Sequence, residues 1–223
     1  MFGNPYSGDV GSRRAGPNAL LGTLAQKSRN VFYSFHFEDV RRVNQIRLCN
    51  QFLSADKDTP RVRDRSLWET AKKLNPAALA RIIDKGLEGT STTCVLAGYQ
   101  TWEREWVRYE IARSLARGNA LLTVCIHNCR CPTYGVAPRG HNPLDQIALG
   151  SDMRIYEWVP YVGWKLYGRI PEKLTSWPKW LPQAAPSYLV KLSAGARSYD
   201  WVADDGVHNL IHWTDAAAAA AGK

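Results

Sequence analysis

At 223 residues and 45% hydrophobic content, the chain suits one large globular domain with an appendage, and no apolar run reaches the roughly 18 residues needed to span a bilayer. Lys and Arg number 29 against 20 Asp and Glu; the net charge of +9 fits a basic soluble surface or an anionic ligand, and no basic cluster matches a nucleic-acid-binding motif. Met1–Asn30 lacks the basic-then-apolar order of a secretory leader, and an odd five cysteines, with Cys94 and Cys125 in apolar runs, indicate reduced thiols in a cytoplasmic protein.

Residues 1–29 are rich in Gly, Ser, Asn and Arg and read as a flexible arm, with a helical turn near Ala19–Gln26. Val31–Phe35 is a β-branched and aromatic run, the first strand. Phe37 opens a helix to about Ile46, with Glu38 and Asp39 at its positive end, and Arg47–Phe52 reads as a second strand. Asp56–Asp64 is a charged loop containing Pro60. Ser66 and Glu69 make a capping box for a helix to about Leu74, and Pro76 opens another that Gly86 closes.

Thr92–Ala97 is almost continuously apolar, as a strand covered on both faces is. Trp102–Arg117 is a helix closed by Gly118, and Ala120–Ile126 is the next buried strand. Strands and helices in alternation, joined by short connections, imply right-handed crossovers and a parallel sheet. A site in such a sheet lies at the carboxyl ends of the strands, here Ser34–Phe37, Gly98–Gln100 and His127–Asn128. Pro132–Gly150 reads as a long loop and Arg154–Val159 as a final edge strand. The main domain therefore spans 30–160. Residues 161–215, dense in Trp and Pro, read as an irregular lobe of short helices and turns packed on it, and 216–223 as an alanine-rich tail.

On a helical wheel at about 100° per residue, Trp102, Trp106, Val107, Tyr109 and Ile111 mark one apolar arc, and Glu110 falls inside it. Burial there raises a carboxyl pKa, and a buried carboxylate needs a partner or a job. Arg113, three residues on, offers an ordinary ion pair; Glu103 shares the arc but sits near the helix start, where an acid is favoured anyway. At the end of the first strand, backbone N–H groups can receive a phosphate, Phe35 or Phe37 can stack on a base and His36 can donate. The same two phenylalanines fit a core equally well, and His36 a loop. Cys125, His127, Cys129 and Cys131 alternate without the paired spacing of a zinc site, so no metal is expected, and no phosphate-binding glycine loop or hydrolase motif occurs.

Three segments resemble one family. Asn30–Asp39 (NVFYSFHFED) is similar to the opening strand of the TIR-like family of Thoeris anti-phage defence, of the ThsB sensor type. Thr93–Gly98 with Trp102–Ile111 resembles that family's third strand and following helix, and Gly140–Asp145 (GHNPLD) its later loop. The likeness covers about residues 30–160. It implies an α/β, flavodoxin-like TIR fold, a central parallel sheet with helices on both faces, beside the irregular Trp/Pro-rich lobe.

TIR-domain NAD hydrolases carry their catalytic glutamate at the place of the W-V-x-x-E-I segment, so the resemblance gives that role to Glu110. It gives substrate binding to Ser34, Phe35, His36, Phe37, Asp39, Gly98, Tyr99 and Trp106. Gly98 is a departure, since TIR domains often have Ser there. The implied activity is cleavage of NAD, as substrate and with no resident cofactor, at the nicotinamide ribosyl bond. The product is a cyclic ADP-ribose-type signal for a separate effector protein. A phage component as trigger and self-association are the other implied partnerships. Two further readings stand beside this one: a non-catalytic interaction module in which Glu110 only pairs with Arg113, and a basic nucleic-acid-binding protein.

Overall fold

The computed structural model describes residues 29–53 and 75–223, with the backbone alone at 50–53. In chain order its strands are β1 (Val31–Phe35), β2 (Thr92–Ala97), β3 (Ala120–Cys125), β4 (Ile147–Gly150), β5 (Ile155–Val159), β6 (Gly163–Leu166), β7 (Leu189–Lys191) and β8 (Arg197–Asp200). Its helices are α1 (Val40–Leu53), α2 (Pro76–Leu87), α3 (Glu105–Ala116) and α4 (Gly206–Ala220), with short 3₁₀ turns between.

Two sheets form. One is wholly parallel, in the order β1-β2-β3-β8, with Val31 beside Thr92, Thr92 beside Ala120 and Leu122 beside Arg197. The other is antiparallel, in the order β6-β5-β4-β7. Successive residues of a strand face opposite sides, so the parallel sheet feeds two cores. Val31, Phe35, Cys94, Leu96, Leu122 and Val124 pack with Val43 and Ile46 of α1 and Leu210 and Trp213 of α4. Phe32, Val95 and Leu121 pack with Leu79 and Ile83 of α2, Val107, Ile111 and Leu115 of α3, and Ile147, Leu149 and Ile155 of the antiparallel sheet. Helix α3 is thus covered from both sides, by the parallel sheet and by the C-terminal lobe.

Several elements depart from the sequence reading. Arg47–Phe52 is not a strand; it continues α1, whose Val43 and Ile46 are buried at a helical spacing while Leu48 stands 53% exposed. Helix α2 runs through Gly86, is capped at its start by Asn75 accepting from the Ala78 N–H at 2.8 Å, and gives way at Gly89, whose φ of 70° suits glycine. Trp102 and Glu103 form a separate 3₁₀ turn before α3 begins. Gly118, at φ 72°, closes α3 as its sequence implies.

Beyond Cys131 the corrections are larger. The long loop contains β4, a fully buried four-residue strand. Ile155–Val159 is an inner strand of the antiparallel sheet rather than an edge of the parallel one. The lobe carries strands as well as turns, and β8, from outside 30–160, is the fourth strand of the parallel sheet. The alanine-rich segment is helical to Ala220, because alanine favours helix and Trp213, Thr214 and Ala218 bury one stripe of α4. Residues 1–28 and 54–74, and with them the turn near Ala19–Gln26 and the capped helix from Ser66, lie outside the described residues. Among the described residues no helix is long and apolar enough to cross a membrane.

Candidate active site

Glu110 sits on the second turn of α3 and is 2% exposed. The Ser34 hydroxyl of β1, itself fully buried, donates to Glu110 Oε2 at 2.7 Å. The backbone of the same turn is also fixed. Ser114 Oγ donates to the Glu110 carbonyl at 2.6 Å and lies 2.7 Å from Thr93 Oγ1. A hydroxyl has one proton to give, so Thr93 is the donor to Ser114. These bonds bind α3 to β1 and β2 through the face that Ser34 and Thr93 share. Arg113 does not take the place of Ser34: its guanidinium reaches Asp84 of α2, at 2.5 Å from Nε to Oδ1 and 3.4 Å from Nη2 to Oδ2. Glu103 stands exposed, away from the buried arc.

A second polar cluster closes the carboxyl ends of β1 and β2. Asp39, 6% exposed, accepts from Arg42 Nη1 at 3.1 Å. Arg42 also donates from Nε to the Cys129 carbonyl at 3.1 Å and from Nη2 to the Gly135 carbonyl at 3.0 Å, tying α1 to the segment after β3. Thr101 Oγ1 accepts from the Gly98 N–H at 2.9 Å and bonds the Asp39 carboxylate in turn. Burial raises the Asp39 carboxyl above its ordinary 3.8, and the Arg42 charge opposes that rise in part. A Cβ on residue 98 would lie 2.0 Å from Asp39 Oδ2. This contact explains why the chain carries glycine where TIR domains often carry serine.

The candidates from the sequence therefore divide. Ser34 meets Glu110, and Asp39 meets Gly98. Phe35 is 3% exposed and lies in the core on the α1 side, because it follows Ser34 in a strand and so faces the opposite way. Trp106 is engaged by the lobe: its ring stands edge-on to Tyr109 at 5.6 Å, with the Arg169 guanidinium 4.7 Å from its centroid. His36 and Phe37 are half-buried at the turn into α1, and Tyr99 is 51% exposed. His127, at the end of β3, lies with Nδ1 3.6 Å from Asp200 Oδ2 of β8.

Thr93, Thr101, Ser114 and Arg42 were missed from sequence, and the Gly140–Asp145 loop was singled out by resemblance without the contacts that Asn142 makes. Asn142 Oδ1 accepts from Thr123 Oγ1 at 2.9 Å and from the Leu144 N–H at 3.0 Å, holding the Gly140–Asp145 loop against β3. The available signal was hydroxyl residues at alternate places in apolar strands, Ser34, Thr93 and Thr123, all facing α3. Among the described residues no group of three His, Cys, Asp or Glu side chains is placed to hold a metal. A cavity of about 410 Å³ between Arg117–Asn119, Leu174–Trp180 and Ala221–Lys223 opens at the amino end of β3, the end opposite this site.

A parallel sheet whose second crossover helix holds one buried glutamate against the first strand is the arrangement of a TIR-like α/β domain. Residues 32–130 match the family described as Thoeris protein ThsB, TIR-like domain. The chain is also 37% identical over 200 residues to the protein named "Putative cyclic ADP-D-ribose synthase ThsB1" from Bacillus cereus (strain MSX-D12), a match covering 84% of this chain and 100% of that one. The chain belongs to the ThsB family of Thoeris TIR-like proteins.

Proposed function

We propose that this protein cleaves NAD at the nicotinamide ribosyl bond, with Glu110 as the catalytic residue, and forms a cyclic ADP-ribose-type product that signals to a separate effector in anti-phage defence. The observation that carries the reading is the Glu110 carboxylate, buried on α3 and held by Ser34 at 2.7 Å within the segment where TIR hydrolases keep their glutamate. The name of the Bacillus cereus relative supports the product class.

The chemistry suits one carboxylate. The C1′–N bond breaks with its electron pair leaving on nicotinamide, which departs neutral, and positive charge develops on the ribose as in glycoside cleavage. A carboxylate beside that carbon stabilises the charge or orients a ribose hydroxyl. Water, losing a proton, gives ADP-ribose; an internal nucleophile, losing its proton likewise, gives a cyclic isomer. A dry site favours the second outcome.

At 2% exposure Glu110 is closed to substrate in this form, which supports an enzyme that opens on self-association or on meeting a phage component. Ser34 positions Glu110, and Asp39 and Gly98, with His36, Phe37 and the exposed Tyr99, sit at the carboxyl ends of β1 and β2, where the substrate would enter. Incubating the protein with NAD, alone and with phage-infected lysate, and assaying nicotinamide tests the reading. Release by the wild type and none by Glu110→Gln is the expected result. Equal release by both sinks the catalytic assignment.

A further inference from the structure

If Glu110, buried on α3, acts at the ribosyl carbon, the adenylate half of a dinucleotide extends to the rim outside it. The rim around the carboxyl end of β2 is built from two segments, 98–104 and 139–142. They are locked together. A Cβ on Gly140 would lie 2.4 Å from the Tyr99 carbonyl oxygen and 2.5 Å from that of Gly98, so the backbones touch. Asn142 then fastens the second segment to Thr123 of β3 at 2.9 Å. The side chains on this fixed frame are flat and basic. The Trp102 and His141 rings meet edge to face, 4.9 Å between centroids and 81° apart, with His141 exposed and Trp102 half-buried. Tyr99 is 51% exposed beside them. Arg104 and Arg139 bring two guanidinium charges against one acid, the exposed Glu103. Arg104 gives Nη2 to Gln100 at 2.5 Å, and its Nε has no hydrogen-bond partner.

We infer that Trp102, His141 and Tyr99, with Arg104 and Arg139, form a preorganised shelf for an adenine nucleotide diphosphate, the half of the substrate that Glu110 does not reach. The inference rests on the reading of this site as an NAD-cleaving one. A flat ring with its edge fixed by a neighbour offers a face to a purine without losing rotamer freedom on binding. Guanidinium groups at its border meet the diphosphate. The shelf sets substrate class: it selects dinucleotides over nicotinamide mononucleotide, which has no adenylate to place there.

The test is titration calorimetry on the full chain with ADP, adenosine and nicotinamide mononucleotide as probes, beside the nicotinamide-release assay. ADP is expected to bind the wild type. Trp102→Ala weakens ADP by about tenfold or more, the usual loss when a base loses its stacking partner. Trp102→Phe restores most of it, and Arg139→Ala weakens ADP while sparing adenosine. Nicotinamide mononucleotide binding is unchanged in all three. His141→Ala, on an exposed loop, gives the same direction as Trp102→Ala and serves if thermal melting shows the latter to be unfolded. Failure of ADP to bind the wild type, or equal binding by folded Trp102→Ala and His141→Ala, overturns the shelf; so does an equal loss of nicotinamide mononucleotide. Glu110→Gln separates the two readings. If ADP binding depends on Trp102 and no nicotinamide is ever released, the shelf stands and the catalytic reading fails. If nicotinamide is released and ADP ignores Trp102 and His141, the reverse holds.

Discussion

The two faces of the parallel sheet are built for different work. Toward α1 and α4 the strands present Val31, Phe35, Cys94, Leu96, Leu122 and Val124, a mainly apolar surface held by close packing, with Thr92 at its edge giving a long 3.4 Å bond to the Thr214 carbonyl of α4. Toward α3 the same strands present Ser34, Thr93 and Thr123 among Phe32, Val95 and Leu121, and each hydroxyl finds a partner on α3 or on the Asn142 loop. A buried polar group without a partner costs more than a hydrogen bond returns, so a face with three satisfied hydroxyls is more narrowly specified than an apolar one. The helix on that face carries Glu110, the carboxylate proposed to act on NAD. On the proposed reading, stability and function separate largely by strand parity, and each variant below either breaks that separation or sharpens it.

The largest effect on folding is expected on the apolar face. Leu122, fully buried between α1 and α4, leaves a cavity when cut to alanine and costs about 2–5 kcal/mol in urea unfolding. Nicotinamide release per folded molecule stays at the wild-type level. A loss of release in protein that is still folded breaks the separation of the two faces.

Next comes the polar closure at Gly98. Gly98→Ala sets a methyl 2.0 Å from Asp39 Oδ2, which Arg42 and Thr101 hold in place, and the overpacking costs about 1–3 kcal/mol. In an Asp39→Ala background the same change costs less, since the obstructing oxygen is gone, and the double-mutant cycle reads the coupling directly. Asp39 also gives a pH signature. Its folded pKa lies above 3.8, so its protonated form favours the fold, and that stability is lost as pH rises from 3.8 through the raised folded value. Asp39→Asn lacks this loss. Across that window the variant gains on the wild type in thermal melts and then levels off; a constant difference refutes the assignment.

The parts legible in the sequence were those with continuous or periodic apolar patterns. Thr92–Ala97 and Ala120–Cys125 stand out because both faces are buried, and α3 because its apolar arc is wide. That width had a meaning beyond amphipathicity, since a helix covered by two sheets needs apolar groups on two sides. Other elements were hidden. Ile147–Gly150 is four residues among glycine and proline, and Arg197–Asp200 is a polar edge strand identifiable only by its pairing with β3. The alanine run read as a tail because small side chains give no pattern, yet Ala218 is fully buried. The burial of Glu110 was readable from its place on the wheel, while its proposed role came from the family resemblance. Its partner Ser34 was a candidate, but the contact between them spans 76 residues and follows from the crossover, not from spacing. The glycine at 98 was visible as a departure, and only the position of Asp39 explains it.

Ser34→Ala moves from the closure to the carboxylate itself. It removes the 2.7 Å donor from a buried oxygen and costs about 1–2 kcal/mol of stability. If Glu110 acts at the ribosyl carbon, release of nicotinamide falls by about tenfold once its Ser34 donor is gone, and tenfold corresponds to about 1.4 kcal/mol in the barrier. Ser34→Thr, which keeps the hydroxyl, recovers part of the rate. Full activity in Ser34→Ala means that Glu110 is positioned by something else.

The smallest effect decides between catalysis and mere scaffolding. If Glu110 existed only to pair with Arg113, then Arg113→Ala would strand a buried carboxylate and cost as much as any core change. The structure instead aims Arg113 at Asp84, a pair whose side chains are 33% and 29% exposed, where solvent screens the attraction. The expected loss is about 0.2–1 kcal/mol, the range of exposed ion pairs, and it shrinks further in high salt. Asp84→Ala should cost the same, and the two together little more than either alone, since they remove one interaction between them. Nicotinamide release should be untouched by all three. A cost several times larger for Arg113→Ala than for Asp84→Ala places the Arg113 charge against Glu110 after all, and makes the buried glutamate a structural group, against the proposed catalytic role.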